Sequence, residues 1–233
     1  MGMLFLSGGG DRDQSIEIDK QFAAEVNKGK PILYVPVAMD QEHISYEACY
    51  EWIKDVFSPF GIKDISMWTE LSGKTIEDLL EYSAVYIGGG NTFRLMNDLL
   101  RSNFYSLVKM YMNEGGIVYG GSAGAIIMGT SILTCTHMDV NLVRLESYCG
   151  LSMVYDYSIW CHYEEGNDSM IHTFIENNRR PVIALPEETG VKVKNGMIVV
   201  SGKKGAYVFN GQNKKQVNSG ERIFNLDTNG SRD

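Results

Sequence analysis

The sequence predicts an α/β fold, a mostly parallel sheet flanked by helices, on three observations. Short apolar runs rich in β-branched and aromatic residues alternate with stretches of helical period through the first half of the chain. That alternation places helices as crossovers between parallel strands. Glycine loops follow the strands repeatedly, at Gly8 to Gly10, Gly88 to Gly90 and Gly120 to Gly121. Ligands of such sheets bind beyond the carboxyl ends of the strands, so these loops are expected around one crevice. Finally, Gly116-Ile117-Val118-Tyr119-Gly120-Gly121-Ser122-Ala123-Gly124-Ala125-Ile126-Ile127-Met128 reads as strand, sharp turn and helix, with Ser122 at the apex.

The elements follow in order. Met3 to Leu6 is a strand running into the Ser7 to Gly10 loop, and Asp13 to Lys28 is helical. Ile32 to Val37 is a second strand, His43 to Phe57 a helix closed by Pro59-Phe60-Gly61, and Ile65 to Trp68 a third strand. Ile76 to Tyr82 is a short helix and Ala84 to Ile87 a fourth strand. Helices over Phe93 to Leu100 and Phe104 to Asn113 precede a fifth strand, Ile117 to Tyr119. Thr134 to Glu146 reads as a loop or short strands lining the crevice. Ser158 to Cys161 and Pro181 to Leu185 are strands on either side of a helix, Asp168 to Asn178. Val191 to Asn210 reads as short antiparallel strands with a hairpin turn at Lys194 to Met197, and Asp227 to Asp233 as a fraying tail. With no repeat or linker, residues 1 to 233 are read as one domain.

The chain has 233 residues, 44% hydrophobic and 21% charged, with a net charge of −8. No Lys/Arg run suggests nucleic-acid binding, and an acidic substrate would need a local basic pocket. The four cysteines, Cys49, Cys135, Cys149 and Cys161, form no C-x-x-C pair, so a zinc ribbon is not indicated. No apolar run is long enough to span a membrane, and a cytoplasmic protein with reduced thiols is expected.

Gly120-Gly121-Ser122-Ala123-Gly124 has the spacing of a nucleophile elbow, in which small neighbours let strand and helix backbones nearly touch. The competing reading is a tight glycine turn with Ser122 capping the helix. Of four histidines, His43 and His172 fall in predicted helices and His137 in a loop, whereas His162 ends a strand where it could take the Ser122 proton. Glu187, after Leu185-Pro186, is the favoured orienting acid at the same sheet edge, with Asp139 its competitor; Glu188 should point away. Ala123 N–H and amides of Gly88 to Gly90 are candidate oxyanion donors, with Asn91 adjoining them. Those glycines lack the Lys-Ser/Thr ending of a phosphate loop, so nucleotide binding is disfavoured. Cys161 should face the core, and the order Ser122, His162, Glu187 differs from that of α/β-hydrolases.

Gly88-Gly89-Gly90-Asn91-Thr92-Phe93-Arg94-Leu95, Gly121-Ser122-Ala123-Gly124-Ala125, the strand-end His162, Leu185-Pro186-Glu187 and Val193-Lys194-Asn195-Gly196 together resemble the S51 serine peptidases over roughly residues 3 to 226. That family includes dipeptidase E (aspartyl dipeptidase) and cyanophycinase. The resemblance implies a class I glutamine amidotransferase-like (flavodoxin-like) fold with serine replacing cysteine at the elbow. It also implies peptide hydrolysis through an acyl-enzyme, without a cofactor. By it, Ser122 is the nucleophile, His162 the base, Glu187 or Asp139 the triad acid, and Gly89, Gly90 or Ala123 oxyanion donors. Two departures stand out. Gly121 occupies a position where dipeptidase E-like members have Trp, and Tyr163 to Asp168 replaces an arginine-rich stretch suited to a substrate carboxylate.

The expectation is a serine peptidase for dipeptides or short peptides, N-terminal aspartyl peptides among them, with no nucleic-acid or membrane partner. A homodimer through an exposed helix face is compatible with the sequence. The alternatives are an amidotransferase-like acyl-transfer enzyme and a non-catalytic small-molecule binding protein of the same fold.

Overall fold

The computed structural model describes residues 2–224. The tail from Asp227 to Asp233, expected to fray, lies outside the described residues.

Strand β1 (Met3–Ser7) is apolar throughout because both its faces are covered. Met3 and Phe5 join a cluster on one side of the sheet, and Leu4 and Leu6 a second cluster on the other. Helix α1 (Arg12–Glu25) starts at a capping box between Asp11 and Gln14, and Phe22 packs edge-on against Phe5 at 5.6 Å. It ends three residues before the predicted Lys28, because Asn27 takes the amides of Gly29 and Lys30 into a turn. Next come β2 (Ile32–Val35) and α2 (Tyr46–Phe57). Ser45 caps α2 by accepting the Ala48 N–H, which leaves His43 in the preceding turn rather than in the helix.

There follow β3 (Ile65–Met67), α3 (Ile76–Leu80), β4 (Ala84–Ile87), α4 (Thr92–Arg101), α5 (Phe104–Asn113), β5 (Ile117–Gly121) and α6 (Ala123–Ile126). A 3-10 turn at Ile132–Cys135 leads into turns and loop, so residues 134 to 146 hold no strand. The remaining elements are β6 (Ser158–Trp160), α7 (Asp168–Asn178), β7 (Val182–Ala184), β8 (Thr189–Lys194), β9 (Met197–Gly202), β10 (Ala206–Asn210), β11 (Asn213–Val217) and β12 (Arg222–Ile223).

The large sheet has the order β12-β9-β8-β1-β5-β4-β2-β3. Its β1-β5-β4-β2-β3 part is parallel, while β8 and β9 add antiparallel to the β1 edge. Asn195 and Gly196, both at positive φ, turn the chain between β8 and β9. A second sheet, β11-β10-β7-β6, carries α7 on a cluster that includes Trp160, Phe174 and Phe209.

That division corrects one expectation. The strands leading to His162 and Glu187 do not extend the sheet that carries Ser122. β8 occupies the edge of β1 that β6 and β7 would need, so β7 pairs with β6 and β10 instead. The two sheets are tied where it matters, by the His162 N–H donating to Gly8 O at 2.9 Å.

Candidate active site

Ser122 stands between β5 and α6 at φ 49° and ψ −111°, a conformation that costs a non-glycine residue about 1–3 kcal/mol. Its neighbours explain how the chain reaches it. A Cβ on Gly120 would lie 2.3 Å from Gly124 O, and one on Gly124 2.2 Å from Ile87 O. The backbones of β4, β5 and α6 therefore touch, and only glycine fits at both positions. The Ser122 N–H donates to Ser7 O at 3.1 Å, and its side chain makes no cap to α6. The helix-cap reading of Ser122 therefore fails, and its hydroxyl is turned to the cavity.

His162 follows β6 at φ 52°. Its Nε2 is 2.8 Å from Ser122 Oγ, and its Nδ1 is 2.8 Å from Glu187 Oε1. An ionised carboxylate can only accept, so Nδ1 carries the proton and Nε2 of the neutral ring accepts from the serine hydroxyl. The ring fits because Gly9 has no side chain: a Cβ there would stand 2.2 Å from His162 Cε1. Glu187 leaves β7 through Leu185 and Pro186, and the Tyr163 N–H donating to Leu185 O at 3.1 Å fixes the two strand ends together. The hydrogen bond from His162 holds the Glu187 carboxyl below the usual glutamate range. Glu188 turns away, as expected, and pairs with Lys204.

The sequence alone does not single out Gln14. Its Nε2 donates to Glu187 Oε2 at 2.8 Å while its Oε1 accepts the Asp11 N–H of the capping box. The Asp11-x-x-Gln14 spacing is the local signature of such a cap, and nothing local signals a partner 173 positions away.

Asp139 is elsewhere. Its Oδ2 accepts the Thr92 N–H at 2.8 Å, at the start of α4, where a carboxylate is favoured by the helix dipole. Asn91 caps the same helix by accepting the Arg94 N–H and ties the 139–141 loop by donating to Val140 O. Gly89 and Gly90 line the cavity, and their N–H groups have no acceptor among the described residues. Ala123 follows Ser122 as the first residue of α6.

The other histidines are engaged away from Ser122. His137 Nδ1 is 2.9 Å from Thr134 O, its ring stacks on Trp160 at 4.2 Å, and burial pushes its pKa down. His43 pairs with Asp40 at the surface, and His172 Nδ1 is 3.1 Å from Gly211 O. Cys161 is buried against the turn at Ser122, its Sγ 3.5 Å from Ser122 O, and burial pushes its thiol pKa up. Among the described residues no group of His, Cys, Asp and Glu is gathered that could hold a metal ion, and no helix is long and apolar enough to cross a membrane.

The three glycine loops meet at one cavity of about 510 Å³ containing Gly9, Gly10, Gly89, Gly90, Gly121, Ser122 and His162. That volume suits a small-molecule site. A hydroxyl, an imidazole and a carboxylate in hydrogen-bonded series beside free amides can activate an alcohol nucleophile and stabilise an oxyanion.

The description of peptidase family S51 matches residues 3–201. The chain is 28% identical over 194 residues to peptidase E of Haemophilus influenzae, covering 78% of this chain and 85% of that one. It is 28% identical over 191 residues to a Drosophila melanogaster protein named "Probable alpha-aspartyl dipeptidase", covering 77% and 76%. The crystal structure of a peptidase from an acI-B1 Actinobacterium superposes with a TM-score of 0.74 at 18% identity, over 96% of this chain and 97% of that one.

Proposed function

This chain belongs to peptidase family S51 and is a serine-type peptidase; from that premise we propose that it hydrolyses dipeptides or short peptides by a Ser122–His162–Glu187 mechanism. The observation that carries the proposal is the unbroken series of 2.8 Å contacts from Ser122 Oγ through the imidazole to Glu187.

In the proposed reaction Ser122 Oγ attacks the scissile carbonyl carbon while His162 Nε2 takes the hydroxyl proton. Glu187 stabilises the imidazolium that results. The oxyanion is held by the N–H of Gly89 or Gly90 and of Ala123. The C–N bond then breaks, and Nε2 gives its proton to the leaving amine. Water enters, loses a proton to Nε2 and attacks the ester carbonyl, and Ser122 departs with that proton as the acid is released. Asp139 and Asn91 act on this site through the α4 terminus and the adjoining loop rather than on His162.

The amidotransferase-like (flavodoxin-like) arrangement is proposed for the fold. It is supported by the parallel order β3-β2-β4-β5-β1, which becomes the flavodoxin-like 2-1-3-4-5 when β1 is counted last. The antiparallel β8–β9 and β10–β11 pairs correspond to its C-terminal hairpins. Residues 1 to 233 are taken as one cytoplasmic peptidase unit.

The test is hydrolysis of a dipeptide panel, aspartyl dipeptides included, by the wild type and Ser122→Ala. The variant should lose about 10⁴–10⁶-fold in kcat. Retained turnover in the purified variant overturns the mechanism.

A further inference from the structure

Resting on the peptidase mechanism above, we infer that the cavity beside Ser122 takes an apolar or aromatic side chain flanking the scissile bond, and that the enzyme prefers hydrophobic short peptides to aspartyl ones. The cavity that holds Ser122 and His162 continues past Gly121 between the ends of β4 and β5 and helix α2, walled by Met39, Ile44, Ala48, Trp52, Tyr86 and Met138.

Gly121 opens it. A Cβ at that position would stand 3.0 Å from the Tyr86 hydroxyl, so a larger side chain would fill the space between the nucleophile and the aromatic wall. That wall is rigid. Tyr86 stacks on Tyr119 at 4.4 Å and meets Tyr34 and Trp52 edge-on at 5.6 and 6.4 Å.

The chemistry of the lining selects against a carboxylate. Among the described residues lining the cavity none is Lys, Arg, Asp or Glu. Arg94 is occupied outside it, donating to Met39 O at 3.2 Å and facing Asp40 at 3.6 Å. A substrate aspartate side chain entering here would lose water without gaining a cation. The net charge of −8 supplies no long-range attraction in compensation. An apolar side chain meets the opposite situation. At the cavity mouth Met138, Ile44 and Trp52 are 57%, 45% and 38% exposed, an apolar surface left for a ligand to cover. The flexible thioethers of Met39 and Met138 let one pocket accept aliphatic and aromatic groups alike.

The test compares kcat/KM for Phe-Ala, Leu-Ala, Ala-Phe, Ala-Ala and Asp-Ala, with a fluorophosphonate probe reporting Ser122 reactivity independently. In the wild type the best hydrophobic dipeptide should exceed both Ala-Ala and Asp-Ala by about tenfold or more. Gly121→Trp, which fills the pocket, should erase that gain. Ala48→Arg, on the exposed face of α2, places a cation at the rim and should shift the ratio of hydrophobic to Asp-Ala hydrolysis at least about tenfold toward Asp-Ala. Asp-Ala cleaved as well as the best hydrophobic dipeptide, with Ser122 labelled, overturns the pocket and leaves the peptidase mechanism standing. Absence of both hydrolysis and Ser122 labelling overturns both.

Discussion

The Glu187 carboxylate lies 2.8 Å from Nδ1 of His162, whereas Asp139 accepts the backbone N–H of Thr92. Two carboxylates that compete for one role in the sequence are thus held on different partners. Glu187→Gln should lower kcat/KM by about 10²–10⁴-fold, because the amide can stabilise neither the Nδ1–H tautomer nor the imidazolium as an anion does. Asp139→Asn should lower kcat/KM less than about tenfold and cost about 1 kcal/mol of stability through the start of α4. Steady-state kinetics and denaturant melts of both variants check this. A larger kinetic loss in Asp139→Asn would reverse the assignment.

That contrast marks where the sequence stops being informative. The strand–turn–helix around Ser122 is legible because its constraints are local: Gly120 and Gly124 flank Ser122 within a few bonds, and contact between neighbouring backbones demands them. The alternation of strands and helices is legible because burial on both faces leaves continuous apolar runs such as Leu4-Phe5-Leu6. What cannot be read is which edge a strand finds. Ser158–Trp160 and Val182–Ala184 look like further strands of the main sheet, and only the prior claim of β8 on β1 sends them to a second one. The Gln14–Glu187 bond is hidden for the same reason: each residue has an adequate local explanation, and their meeting depends on the whole fold.

Asp19 should impose a pH dependence on stability. Its carboxyl is buried, accepts hydrogen bonds from Ser15 Oγ and the Tyr119 hydroxyl at 2.6 Å each, and has its pKa raised to about 6 by desolvation, against a partial opposing effect of those bonds. Well below pH 4 both folded and unfolded chains carry the proton. Between about pH 4 and 6 the unfolded chain has released it and the folded chain has not, so stability falls as pH rises and levels off above the folded pKa. From pH 4.5 to 7 this contribution is on the order of 2 kcal/mol. Asp19→Asn should lose that slope in urea denaturation at the two pH values; an unchanged slope would show that Asp19 does not titrate there.

Thiol chemistry should leave activity intact. Cys161 lies against the Ser122 backbone, but it is buried and its thiol pKa is pushed up by desolvation, so little thiolate forms near neutral pH. Cys149 is the exposed cysteine. Iodoacetamide should therefore alkylate Cys149 first, by peptide mass mapping, with dipeptide hydrolysis retained, whereas a fluorophosphonate should abolish it. Inactivation in step with Cys161 alkylation would favour a cysteine-based acyl transfer.

Gly9 and Gly73 separate backbone strain from steric control of the imidazole. Both sit at positive φ, +106° and +73°, so alanine at either should cost about 1 kcal/mol of stability. Their surroundings differ. A Cβ on Gly73 meets nothing within 4 Å, whereas one on Gly9 would lie 2.2 Å from Cε1 and 2.6 Å from Nε2 of His162. The ring cannot keep its contact with Ser122 Oγ and also clear that methyl group. A displacement of about 1 Å at a reacting atom can cost about 10²-fold, so Gly9→Ala should lose at least that in kcat/KM while Gly73→Ala keeps wild-type kinetics. Matched melting temperatures with divergent kinetics would show that Gly9 acts through His162. Equal kinetics in the two variants would mean that the ring has room the structure does not provide.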